Sequence, residues 1–266
     1  MARPSDTYVQ SVLLATEVLE VLADRGPSGV TEVGRVLGVP KMRIHRHLRT
    51  LVAAGYVTQD PDTEKYAIGV KFWLIGKSVA DQFGFLSAAR KVVTALRDEL
   101  GHTVTAGIID KHDMLMIDTE RGTSAIEIGT KPGTRFPFHA SSQGKLALAF
   151  GPPDLLETVL TKDLEKTTTW TCTDPDALRV EIAQVKLQGW AVAPEQILLG
   201  INALAAPVFN ADGSLAGTLS VVDSIQYLPA QPSRQQIGCL LNAARRASAE
   251  LGYHDGGSMA RVAAVR

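Results

Sequence analysis

Lys41, Arg43, Arg46 and Arg49 follow one another within the ten residues KMRIHRHLRT, with His45 and His47 between them. With Arg35, five basic residues stand between Thr31 and Tyr56 against Glu32 alone. An excess of positive charge on so short a stretch is the footprint of an element that meets phosphate, although a merely solvated helix face has the same composition. The remainder of the chain is balanced or acidic, so a net charge of −1 over 266 residues conceals the local excess.

A second group of polar residues lies in GTRFPFHASSQGKLALAF, 133–150, where a Pro-containing loop runs into Ser141, Ser142 and a helix start. Either serine can cap that helix, and the free N–H groups of its first turn suit a carboxylate. Capping alone explains the serines as well, and a ligand-binding loop is the reading preferred here. A third candidate is VAPEQILLGINALAAPVF, 192–209, with Glu195 upstream of Gly200. In regular strands Ile201 and Ala203 share one face with Ser220 and Val222. A mostly apolar face with one hydroxyl fits a small-molecule site and fits a domain core equally.

Other chemistries lack their residues. Lys145 is followed by Leu146, so the loop is not a P-loop. Ser141 beside His139 has neither the nucleophile elbow nor a matched acid. His102, His112, His139 and His254 are dispersed without ligand spacing, and His45 and His47 are two apart, which on a helix puts them on different faces. Cys172 and Cys239 are isolated and suit a reducing compartment. No catalytic residue, metal or cofactor is therefore expected. No apolar run approaches the ~18 residues of a membrane span, and the N-terminus lacks a signal-peptide core, so a cytoplasmic protein is expected.

The elements that must position these residues are readable from periodicity. Residues 11–24 form an amphipathic helix with Ala15, Val18, Leu19 and Leu22 on one face. Thr31 can cap a second helix carrying Val33, Val36 and Leu37, which Gly38 ends. Pro40 opens a third helix whose Ile44, Leu48 and Leu51 point inward while Met42, Arg46 and Arg49 point away, with Arg43 and His45 on the flanks. Two short helices joined by a three-residue turn, the second basic outside, make a helix-turn-helix. YVTQ, a turn and YAIGV add a hairpin wing. From Lys71 a helix with Phe72, Ile75, Val79 and Phe83 in a stripe packs either on a partner chain or on its own domain. Beyond Ser87, hairpins (TVTAGII with MLMIDT, ALAAPVF with LAGTLSVV), a strand near AIEIG and flanking helices indicate an α+β domain.

SVLLATEVLEVLAD, TEVGRVLGVPKMRIHRHLRTLVAAGYV and YAIG, in that order, resemble the N-terminal winged helix-turn-helix of IclR-type transcriptional regulators. PGTRFPFHASSQGKLALA, LQGWAVAPEQILLGINALAAPVFNADGSLAGTLSV and AARRASAELG are similar to that family's effector-binding domain. The likeness runs over about 8–254. It implies an α+β chain: a winged helix-turn-helix over 1–70, a linker helix over 71–86, a GAF-like effector domain with an antiparallel sheet over 87–254 and a tail over 255–266. It implies homodimers or dimers of dimers on a double-stranded DNA operator, answering to a small organic or aromatic acid. By position, the effector pocket draws on Phe138, Ser141, Ser142, Leu148, Glu195, Ile201, Ala203, Ser220 and Val222. Three departures stand out: Met42-Arg43 where Ser-Thr is common, SSQGKL for Thr-Ala-x-Gly-Lys-Ala, and Glu195-Gln196 where two acids are frequent.

The expected DNA-contacting set is Thr31, Lys41, Met42, Arg43, His45, Arg46 and Arg49. Arg46 and Arg49 meet phosphates, while Lys41, Met42 and Arg43 reach base edges. The rival readings are a hydrolase-like enzyme with a structural N-terminal domain, and a protein-interaction module whose basic helix holds an acidic partner.

Overall fold

The computed structural model describes residues 8–82, 84–123 and 128–254, except for the side chains of 79–82. It divides into two compact units, Met1–Gln82 and Phe83–Arg266.

The first unit runs α1 (Gln10–Arg25), α2 (Val30–Leu37), α3 (Lys41–Ala53), β1 (Val57–Gln59), β2 (Tyr66–Ile68) and α4 (Val70–Gln82). Leu14, Val18, Val21 and Leu22 of α1 enclose one core with Val33, Ile44, Leu48, Leu51, Val57 and Tyr66. The buried face of α1 is thus turned from the expected one: Leu14 and Val21 are inside, and Ala15 and Leu19 are half-buried. Apolar residues occur on several sides of SVLLATEVLEVL, so period alone does not select between neighbouring stripes. Gly38, at φ 65°, ends α2 in the left-handed region that favours glycine. Thr31 does not cap that helix. Gly29 holds the N-cap position, and Thr31 lies exposed within the first turn. Antiparallel β1 and β2 form the wing. Lys71 donates to the Ala54 carbonyl at 2.9 Å and lies 4.4 Å from the centre of the Tyr56 ring, fastening α4 to the end of α3.

Over the span of the expected linker helix, 71–86, the described residues are helical: α4 runs to Gln82 and α5 (Gly84–Leu100) takes up 84–86, with Phe85 buried in the second unit's core. Of the expected stripe, Phe72 rests against Tyr56 and Ile75 is exposed. The Val79 side chain and Phe83 lie outside the described residues, as do the tail 255–266 and most of the strand expected at AIEIG, whose 128–129 are not in a strand.

The second unit continues with β3 (Thr103–Asp110), β4 (Asp113–Glu120), β5 (Arg135–Pro137), α6 (Ser142–Phe150), α7 (Leu155–Leu160), α8 (Pro175–Gln188), β6 (Ala191–Val192), β7 (Ile201–Phe209), β8 (Leu215–Ser224) and α9 (Arg234–Glu250). One antiparallel sheet has the order β5-β4-β3-β8-β7-β6. Alternation divides it cleanly. Val104, Ala106, Leu204, Ala206, Leu219 and Val221 face α5 and α9. The other face carries Thr103, Thr105, Ala203, Ala205, Ser220 and Val222. The register places Thr105 opposite Ser220 and Ser220 opposite Ala205. Ala205 and Met114 pack there on Leu146, Leu178 and Ile182 of α6 and α8. Asp174 caps α8 by accepting from Ala177 N, and Ser233 and Gln236 form a capping box on α9.

Candidate functional site

Two surfaces bring functional side chains together, one in each unit. On α3, Ile44 and Leu48 are fully buried and Leu51 nearly so. Each buried aliphatic side chain contributes roughly 1.5–3 kcal/mol relative to exposure, so this stripe fixes which face of α3 points outward. Lys41, Met42, Arg43, Arg46 and Arg49 are exposed there and His45 is half-buried. Met42, Arg43, His45, Arg46 and Arg49 share one shallow concave surface with Thr50 and Ala53. The helix has no acidic residue. Among the described residues, no ion pair or side-chain hydrogen bond engages Lys41, Arg43, Arg46 or Arg49. Burial, together with Arg43 and Arg46, pushes the His47 imidazole below its usual range, which favours its neutral form.

In the second unit a cavity of about 240 Å³ lies on the sheet face away from α5 and α9. Its floor is Thr105, Met116, Ser220 and Val222, with Ile201 and Ala203 beside them. Ser141, Ser142 and Gln143 close one wall, Gly129, Thr130 and Phe136 another, and Ala193, Ile197 and Leu198 a third. No charged side chain lines it among the described residues.

The α6 end of the cavity is polar. Ser141 caps the helix: its Oγ accepts from Gly144 N at 3.1 Å and donates to the Pro137 carbonyl at 2.9 Å. The backbone N–H groups of Ser142 and Gln143, in the first turn, have no intrahelical acceptor. Ser142 is 1% exposed and lines the cavity. Among the described residues, Ser220 Oγ reaches only the Val221 carbonyl, at 3.5 Å, and Thr130 Oγ1 is buried without a partner. Gln143 is held in place by donating to Thr105 Oγ1 at 3.1 Å. The cavity therefore offers an anion-favouring helix end and unengaged hydroxyls within apolar walls.

Six of the nine pocket residues expected from sequence line this cavity: Ser141, Ser142, Ile201, Ala203, Ser220 and Val222. Three do not. Phe138 and Leu148 are packed in the core between the sheet, α6 and α8. Glu195, at φ 57°, folds its own loop: its Oε1 accepts from Gly200 N at 2.8 Å and its carbonyl accepts from Thr168 Oγ1 at 2.6 Å. Thr105 lines the cavity as well, and the alternation that selects Ser220 selects this cross-strand neighbour too. The loop residues 129–130 and 193–198 carry no comparable signal. Ser141 and His139 are both committed to structure, since His139 Nε2 donates to the Glu165 carbonyl at 2.9 Å.

Gly144 brings α6 against the loop before it. A Cβ there would stand 2.4 Å from the Phe138 carbonyl oxygen and 2.6 Å from Ser141 Oγ. Because backbone must move, Gly144→Ala is expected to destabilise the protein towards the upper end of the roughly 1–3 kcal/mol typical of overpacking. A lowered chemical-denaturation midpoint at unchanged m-value checks this.

A winged helix-turn-helix with a basic outer helix, followed by an α+β unit enclosing an apolar cavity, defines a DNA-binding transcription regulator. The model for the bacterial transcriptional regulator IclR C-terminal domain matches residues 77–249, and that for the IclR helix-turn-helix domain matches residues 11–61. The chain belongs to the IclR family of bacterial transcriptional regulators. It is 30% identical to the regulator BhcR of Paracoccus denitrificans over 78% of this chain and 75% of that protein. It is 26% identical to KdgR of Escherichia coli over 93% of this chain and 94% of that one. The crystal structure of an IclR homologue from Microbacterium hydrocarbonoxydans complexed with 4-hydroxybenzoate shares the fold, with a TM-score of 0.79 at 24% identity over 91% of this chain and 98% of that one. Among the described residues no helix is long and apolar enough to cross a membrane.

Proposed function

We propose that this regulator binds a two-fold double-stranded operator as a homodimer or dimer of dimers in the cytoplasm, is released or engaged by a small organic acid, and catalyses no reaction. The observation that carries the DNA-binding part is the outer face of α3, where Lys41, Arg43, Arg46 and Arg49 have no acidic partner among the described residues. Arg46 and Arg49 neutralise phosphates, Lys41, Met42 and Arg43 reach base edges from the first turn, and Thr31 and His45 add donors at the margins. One such helix reads too few base pairs for operator specificity, so two copies on a two-fold site are required.

The acid's carboxylate lies at the N-terminus of α6, on the N–H groups of Ser142 and Gln143, with its body against Met116, Phe136 and Ile201. Regulation follows if the acid binds the two arrangements of the DNA-reading units with different affinity, and only by that difference. 4-Hydroxybenzoate, the ligand of the Microbacterium structure, is a suitable first probe among organic acids. At a concentration about a hundred times Kd, an acid that fits is expected to stabilise by ~2.7 kcal/mol, raising Tm by roughly 5–10 °C. Ser220→Leu fills the cavity floor and removes that shift while leaving DNA binding intact. A shift that survives Ser220→Leu would place the acid elsewhere.

A further inference from the structure

We infer that Met42 reads the C5-methyl group of a thymine in the operator; this rests on the DNA-reading role given to α3 above. At 78% exposure, Met42 is the most exposed large apolar side chain among the described residues. It is not a stray member of the core, because Ile44, Leu48 and Leu51 already fill the inward stripe. It stands on the opposite side, on the surface it shares with Arg43, Arg46 and Arg49.

An apolar side chain among unpaired cations calls for an occupant that is a polyanion with a local apolar feature. Duplex DNA is such an occupant, and charge complementarity selects it over an apolar protein surface. The first turn of a recognition helix lies nearest the base edges. In the major groove those edges present donors and acceptors, which a thioether barely engages, and one apolar group, the thymine methyl. Methionine is unbranched and flexible enough to follow that methyl. The neighbouring Arg43 offers a two-point donor for guanine O6 and N7, so a thymine within a base step or two of a guanine is the expected core of each half-site.

The test starts from the full-length chain selecting duplexes from a random pool. Each thymine of the preferred site is then replaced singly by deoxyuridine, which removes only the methyl, and affinities are measured for the natural protein, Met42→Ala and Met42→Leu. One position in each half-site should lose about fourfold in affinity, the equivalent of one buried methylene. That loss should vanish in Met42→Ala and persist in Met42→Leu, with all three proteins showing the same salt dependence. Met42 is exposed, so its replacement leaves the fold intact. If the selected site has no thymine whose methyl distinguishes the natural protein from Met42→Ala, the assignment of Met42 is overturned alone. If the pool yields no preferred sequence, the DNA-reading role fails first, and this inference with it.

Discussion

Replacing Arg46 and Arg49 together by glutamine is expected to weaken binding to every duplex alike, by about thirtyfold near 0.15 M salt. Each phosphate contact on B-form DNA releases ~0.9 counterion. Scaled from 1 M to 0.15 M salt, that is about fivefold in affinity per contact. Two lost contacts should also flatten the slope of log affinity against log salt by about 1.8. Both side chains are exposed and glutamine is a good helix former, so α3 itself is unaffected. Arg43→Ala should behave differently, relaxing preference at one base pair by about 1–3 kcal/mol. Anisotropy titrations of an operator and a scrambled duplex between 50 and 200 mM salt separate the two roles. An unchanged salt slope in the double variant would show that Arg46 and Arg49 do not touch phosphate.

The different visibility of the two sites in the sequence has a physical cause. α3 is read easily because one continuous segment carries both its anchor and its function. Ile44, Leu48 and Leu51 at i, i+4 and i+7 leave a single outward direction, and the cations occupy it. The strand part of the cavity is read for a similar reason: period two, joined to the β7–β8 register, places Ala203, Ser220 and Val222 on one face. Family position alone does not decide between wall and core. Phe138 and Leu148 sit beside the cavity in sequence yet face α8, and the close approach at Gly144 turns that segment inward. Glu195 is likewise a loop fastener: it is held in the left-handed region and its carboxylate accepts from the Gly200 N–H. The closing loops at 129–130 and 193–198 are brought together only by the folded sheet, so no local pattern announces them.

The largest effect on stability is expected at a pair that touches neither DNA nor the cavity. Lys145, in the middle of α6, is completely buried. Its Nζ donates to Glu181 Oε1 of α8 at 2.5 Å and to the Val192 carbonyl at 3.1 Å. Burial pushes its ammonium below the usual lysine range, and Glu181 opposes that shift. Glu181→Ala leaves the buried cation with one carbonyl acceptor, a change that typically costs 3–5 kcal/mol. The Glu181 side chain is 32% exposed, so the low end, ~3 kcal/mol, is expected. Lys145→Met with Glu181→Leu together should recover most of the loss, because no buried charge remains. The pH dependence has a definite sign. A lysine whose native pKa lies below its unfolded value binds its proton more tightly when unfolded, so stability rises with pH between the two values. Below the native value the full cost of burying the cation is carried. Removing Glu181 lowers the native value further and widens that window, so the deficit of Glu181→Ala should shrink as the solution is made alkaline. A deficit independent of pH would mean that Glu181 acts by packing alone. The pair also adjoins the cavity: Lys145 holds the carbonyl of Val192, one residue before Ala193 of the cavity wall, and the proposed acid site would feel its loss. Glu181→Ala should therefore diminish acid-induced stabilisation as well, at a distance from every group that contacts the acid.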